Sequence, residues 1–89
     1  MFFNKVPSVA YHELPANAVI IDVRERHEYQ QRKLPRTKNV PLSQLDGFQS
    51  SKTVYVICAS GSRSKRAVKS LRKRNIDAIN IHGGMMHIR

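Results

Sequence analysis

The sequence predicts an α/β domain: a small, mostly parallel central sheet flanked by helices on both faces, with residues 1–89 as one domain. Two observations carry this. Three short runs rich in β-branched residues, Val19–Val23, Thr53–Ile57 and Ala78–Ile81, are apolar nearly throughout, as strands covered on both faces are. Segments with helical periodicity separate them, and strands that alternate with helices pair in parallel. At 89 residues the chain is long enough for one modest core.

The first run, Val19-Ile20-Ile21-Asp22-Val23, ends in a polar pair, Asp22 and Arg24. Glu25–Gln31 reads as a short helix, acidic early as the macrodipole prefers, and Leu34-Pro35 breaks it. Asn39-Val40-Pro41-Leu42 is a brief extended piece, and Ser43-Gln44-Leu45 starts a helical turn with Ser43 as its cap. Thr53–Ile57 is the second strand. Residues 64–74 place Ala67, Val68 and Leu71 on one helical face with lysines and arginines over the rest. Ala78–Ile81 closes the order and runs into Gly83-Gly84. Parallel sheets bind ligands at the carboxyl ends of their strands, where Asp22, Cys58 and Gly83 all fall.

Cys58 is the only cysteine. It ends the second strand and opens the loop Ala59-Ser60-Gly61-Ser62-Arg63-Ser64. A thiol between a strand end and the first turn of a helix lies where backbone N–H groups converge and favour negative charge. Such surroundings lower a thiol's pKa from about 8.5 to roughly 3.5–7.5, so thiolate exists at neutral pH. A lone cysteine is ordinarily a packing residue; this loop makes it a candidate nucleophile. Arg63, Lys65 and Arg66 stand at the start of the helix, where cations oppose the dipole, and a broken local rule beside a nucleophile points to a functional site. The alternative is that long side chains spread into solvent. For Lys69, Arg72, Lys73 and Arg74, late in the helix, the solvated-face reading is preferred.

In order along the chain, Ile21-Asp22-Val23-Arg24-Glu25, His27-Glu28-Tyr29, Pro35, Asn39-Val40-Pro41-Leu42, Cys58-Ala59-Ser60-Gly61-Ser62-Arg63-Ser64 and Asn80-Ile81-His82-Gly83-Gly84-Met85 resemble the segments of the rhodanese-like single-domain sulfurtransferases. The resemblance implies transfer of sulfane sulfur. Cys58 takes the terminal sulfur of an anionic donor such as thiosulfate as a persulfide, then passes it to a thiophilic acceptor such as cyanide or a thiol. It implies a substrate site at Ala59, Ser60, Gly61, Ser62 and Arg63. N–H groups from Ala59 to Arg63 can curl into a nest around the sulfur, Gly61 tolerates the positive φ this needs, and Arg63 draws in the donor. Asp22 either braces the loop or caps the following helix, and Arg24 pairs with Glu28 at helical spacing; both are read as structural. Gly83-Gly84 reads as a turn.

The chain departs from the family pattern in three places. Arg32-Lys33-Leu34-Pro35-Arg36 stands where the family often has glycine-histidine-isoleucine-proline-glycine, placing the turn geometry in question. Met85-Met86-His87 replaces a tryptophan-bearing segment, and the shorter C-terminal end is expected to pack more loosely. A cysteine phosphatase is the nearest enzymatic rival. Those enzymes space cysteine and arginine by five residues, whereas four separate Cys58 from Arg63, and Ile57 precedes the cysteine in place of histidine. The smaller ring favours a sulfur-sized guest.

The net charge of +10 is uneven: residues 47–76 carry no carboxylate, and seven of sixteen basic residues fall between Arg63 and Arg74. This field attracts anions and keeps a second class open, a basic binding module, or a sulfur carrier, recognising an acidic protein or nucleic acid. Six aromatics and no base-stacking pattern weigh against nucleic acid. The expected partners are a small anionic sulfur donor and a protein or low-molecular-weight thiol acceptor. No cofactor is expected, and no metal, since His12, His27, His82 and His87 lack ligand spacing. One free thiol fits a reducing compartment. The start, Met1–Pro7, lacks a signal-peptide pattern, and no apolar run approaches a membrane span. The expected location is cytoplasmic.

Overall fold

The computed structural model describes residues 5–88. Residues 1–4 and 89 lie outside it, and with them most of the start read as leaderless. Five strands form one sheet in which every pairing is parallel: β1 (Ser8–Val9), β2 (Val19–Asp22), β3 (Thr37–Asn39), β4 (Val54–Ile57) and β5 (Ala78–Ile81), in the order β1-β5-β4-β2-β3. Three α-helices, α1 (Arg26–Gln31), α2 (Ser62–Lys73) and α3 (Gly84–His87), and 3-10 turns at Tyr11–Glu13 and Leu42–Gly47 complete the described residues.

The two faces of the sheet separate into two clusters because side chains alternate along each strand. Ile21, Val54, Val56 and Ala78 point to the face covered by Ala67, Val68 and Leu71 of α2 and by Leu45 of the 3-10 turn. Ile20, Ile57 and Ile81 point the other way, onto Leu34, Met85, Tyr11 and Leu14. The core strands β2, β4 and β5 are the three read from the sequence. The two edge strands are additions, two and three residues long, paired only on one side.

Several local expectations are corrected. Helix α2 begins at Ser62, two residues earlier than the apolar stripe indicated, because Gly61 at φ +108 turns the chain directly into it. Ser43 is not a cap: the 3-10 turn starts at Leu42, and Pro41 precedes it. Arg74 does not lie on a solvated face; its Nη2 donates to the carbonyls of Leu45 and Phe48 at 3.0 and 3.1 Å. Arg72 stays exposed, in keeping with that reading, and at the surface its guanidinium donates to Asp77 Oδ1 and to the Ala78 carbonyl.

The charged replacements in the family's glycine positions turn out to be ties. Arg36 takes φ +61, the left-handed conformation natural to glycine, and its guanidinium donates to the Ala16 carbonyl at 2.7 Å. Arg32 reaches the other end of the chain, donating to the carbonyls of Met85 and Ile88 at 3.4 and 2.9 Å. The expected looseness there is therefore offset: Met85 is buried, and its N–H donates to the Cys58 carbonyl at 2.8 Å, while Met86 N–H reaches Ala59 O at 2.8 Å.

Gly84 makes this close approach feasible. Its φ is +64, and a Cβ there would lie 2.5 Å from Ala59 O and 2.6 Å from Cys58 O, both main-chain atoms. Gly84→Ala is therefore expected to destabilise the fold by about 1–3 kcal/mol through backbone strain and overpacking, measured as a lower urea midpoint. Because α3 must back away, the same variant is expected to speed alkylation of Cys58. An unchanged midpoint would contradict the close approach.

Candidate active site

Strand β4 delivers Cys58 to the carboxyl end of the sheet, and the loop to α2 folds back over it. The thiol is 1 % exposed and sits at the margin of the α2-side apolar cluster. Its sulfur nevertheless faces polar groups. Gly61 N–H donates to Sγ at 3.1 Å and Ser64 N–H at 3.2 Å, while the Ser64 hydroxyl lies 3.3 Å away. With so little of the thiol accessible, a donor must present a slender terminal atom unless the loop moves.

Burial alone would push the Cys58 thiol up, since it penalises the charged form. The hydrogen bonds from the Ser64 hydroxyl and from the N–H groups of Ser64 and Gly61, with a smaller contribution from the Ser60 backbone, outweigh it, and the pKa falls below that of an ordinary thiol. The physical cause is a ring of donors directed at one atom, each strengthened by the low local dielectric.

Among the residues foreseen for the site, Gly61 donates to the sulfur and Ser60 contributes to its ionisation. Ala59 is half-buried and gives its carbonyl to Met86. Ser62 is exposed at the start of α2. Arg63 is turned to Glu28: Nη1 meets Oε1 at 2.7 Å and Nη2 meets Oε2 at 3.0 Å. That pair draws the Glu28 carboxyl down to about 2, chiefly through the Arg63 hydrogen bond. Arg24 does not pair with Glu28. It forks onto Asp22, with Nε and Nη2 donating to the carboxylate at 2.9–3.1 Å. Asp22 therefore neither caps α1 nor reaches the loop.

Sequence reasoning did not single out Ser64 or Asn80, and both are fully buried. The Ser64 hydroxyl donates to Asn80 Oδ1 at 2.5 Å, and Asn80 Nδ2 donates to Ser8 Oγ at 3.1 Å. A hydroxyl has a single proton and two acceptor lone pairs. While Cys58 is a thiol, its S–H donates to Ser64 Oγ and the serine proton serves Asn80. Once Cys58 ionises, that proton can turn to the sulfur.

Ser64→Ala should leave the main-chain donors in place, remove the hydroxyl and strand Asn80 Oδ1 in the core. The expected outcome is a higher thiol pKa, so that the pH profile of iodoacetamide alkylation shifts to higher pH and less thiolate is present at pH 7. A stability loss of about 1–3 kcal/mol accompanies the orphaned acceptor. Ser64→Thr, which retains the hydroxyl, should restore the profile; an unshifted profile in the alanine variant would remove Ser64 from the account.

Three comparisons bear on this geometry. The family profile described as Rhodanese-like domain matches residues 7–89. The Bacillus subtilis protein YqhL is 39 % identical over 72 residues, covering 75 % of this chain and 57 % of YqhL. The Yarrowia lipolytica adenylyltransferase and sulfurtransferase UBA4 is 36 % identical over 73 residues, covering 75 % of this chain but 18 % of UBA4. This chain therefore spans only part of the length of either relative. Among solved structures, SSP1007 of Staphylococcus saprophyticus superposes with a TM-score of 0.82 at 30 % identity, with 93 % of each chain covered.

Proposed function

Because the chain belongs to the rhodanese-like family, we propose that it moves sulfane sulfur through a persulfide on Cys58. The observation that carries the reading is the convergence of Gly61 N–H, Ser64 N–H and the Ser64 hydroxyl on one sulfur atom within 3.3 Å. In the first step the thiolate attacks the outer sulfur of a donor. With thiosulfate, the S–S bond breaks, its electron pair leaves with sulfite, and Cys58 carries S–S⁻. In the second step cyanide or a thiolate attacks that outer sulfur and the Cys58 thiolate returns as the leaving group. The same main-chain donors serve both halves, because each step begins or ends with negative charge on sulfur.

Residues 59–63 form the substrate site in this reading, with Ala59, Ser60, Gly61 and Ser62 shaping a cradle that fits sulfur better than phosphate, and Arg63 at its rim. The sulfurtransferase in the name of UBA4 supports the reaction class. A lone free thiol that must stay reduced supports a cytoplasmic setting; among the described residues, no helix is long and apolar enough to cross a membrane.

The test is mass spectrometry of the intact protein. Incubation with thiosulfate should add one sulfur atom, and cyanide should remove it. Absence of an adduct with thiosulfate and with cysteine persulfide alike would overturn the reading. A sulfur carrier differs only in its partners, and its signature is slow loading from thiosulfate beside fast loading from a persulfide.

A further inference from the structure

Arg63, the cation of the loop on which the Cys58 charge acts, is not free to act as a unit charge. Arg63 and Glu28 are joined fork to fork, a geometry that adds specificity as well as strength. Both side chains are about two-thirds shielded, at 31 % and 28 % exposure, so solvent screens the pair only in part. Glu28 is fixed from its own helix as well: Oε1 accepts the Glu25 N–H at 2.8 Å. The charges that act on the pair are Arg24 on the side of Glu28, and Glu25 and Cys58 on the side of Arg63. Arg24 is itself neutralised by Asp22 at 2.9 Å. With its carboxyl drawn down to about 2, Glu28 is ionised at any working pH, and no ordinary pH change releases Arg63.

We propose that Glu28 is a specificity-determining residue that cancels the charge of Arg63 at the mouth of the sulfur cradle, directing the site away from small dianions and toward thiol persulfides. This rests on the sulfur-transfer reading and names the donor class for it. Thiosulfate brings two negative charges and releases sulfite with two, so both the approach and the departure call for a cation that Glu28 already neutralises. A thiol persulfide, R–S–SH, calls for less. Cys58 thiolate attacks the outer sulfur and the S–S bond breaks. RS⁻ leaves with the electron pair and takes a proton from solvent, and the outer sulfur keeps its own proton on Cys58. Sulfur and charge balance with no added oxidant or reductant. The N–H groups of Gly61 and Ser64 that reach Cys58 Sγ take no part in the pairing.

Glu28→Gln tests this, since glutamine still accepts the Glu25 N–H but leaves Arg63 its charge. The KM for thiosulfate is expected to fall about fivefold, in line with a partly exposed bidentate pair, with a smaller change in kcat. Loading from cysteine persulfide and from persulfidated serum albumin should each change by less than about twofold, and the larger kcat/KM of those two in the unaltered protein identifies free or protein-borne persulfide as the better source. In an Arg63→Gln background, Glu28→Gln should yield no gain with thiosulfate. An unchanged or higher thiosulfate KM in Glu28→Gln, with persulfide loading intact, overturns the inference alone. Failure of the unaltered protein to load from any of the three donors overturns the sulfur-transfer reading beneath it.

Discussion

Cys58→Ser is expected to abolish sulfur transfer, reducing it to the rate of donor and acceptor mixed without protein, and to leave the fold intact. Serine is close to isosteric, and its oxygen can accept the N–H groups of Gly61 and Ser64 that now reach Sγ at 3.1 and 3.2 Å. The cradle therefore survives the change. What disappears is an ionisable atom: hydrogen bonds that draw a thiol below its usual pKa fall far short of ionising an alcohol at neutral pH, and oxygen cannot carry the transferred sulfur as a persulfide. A fold preserved by circular dichroism and urea titration, with no adduct from any donor, separates loss of chemistry from loss of structure. Transfer at near-normal rates in the serine variant would move the reaction away from this loop altogether.

The legible parts of the fold were those with local causes. Strands β2, β4 and β5 are β-branched runs whose burial on both faces is written in their composition, and α2 carries Ala67, Val68 and Leu71 at helical spacing. Edge strands β1 and β3 have no such pattern. Ser8–Val9 becomes a strand because β5 offers it a partner some seventy residues away, with Ser8 opposite Asn80. The ion pairs failed for the same reason. Helical spacing points Arg24 at Glu28, but α1 begins only at Arg26, so Arg24 is not on its surface and folds back onto Asp22. Glu28 is then open to Arg63, thirty-five positions on, a partner that only the fold supplies.

Ser64 and Asn80 are different, since their signal was present in the sequence. Ser64 lies three, four and seven residues before Ala67, Val68 and Leu71, which puts a hydroxyl on the apolar stripe of α2. Asn80 shares the inward face of β5 with Ala78, which puts an amide among core residues. A buried polar group must find a partner, and two such groups on facing surfaces of one helix and one strand identify each other. Placing them next to the nucleophile extends the site from the loop into the core. The tuning of Cys58 therefore depends on packing between α2 and β5 as well as on the loop's own conformation.

Asp22→Ala is expected to remove about 3–5 kcal/mol of stability, the usual consequence of leaving one member of a buried ion pair uncompensated. Asp22 is fully buried and accepts from Arg24 N–H, Nε and Nη2, all at 2.9–3.1 Å, while Arg24 is 6 % exposed. Removing the carboxylate leaves a guanidinium with the Arg32 carbonyl as its remaining acceptor, at 2.5 Å. Against the ~5–15 kcal/mol that holds a typical domain, such a loss brings a chain of this size close to unfolding. The pair is weak evidence for net stability in itself, because two charges were desolvated to form it. Hence the double replacement Asp22→Leu with Arg24→Met should recover most of what the single change loses. Function is expected to respond as well. The backbone at Asp22 and Arg24 anchors Asn39 through 3.0 and 2.9 Å bonds, and Val23 N–H bonds to the Ile57 carbonyl at 2.9 Å, immediately before Cys58. Disorder at this strand end should slow sulfur loading in the single variant more than its folded fraction explains. Urea titration paired with the loading rate distinguishes the cases, and a single variant that loses less than about 1 kcal/mol would mean that Arg24 finds water once its partner is gone.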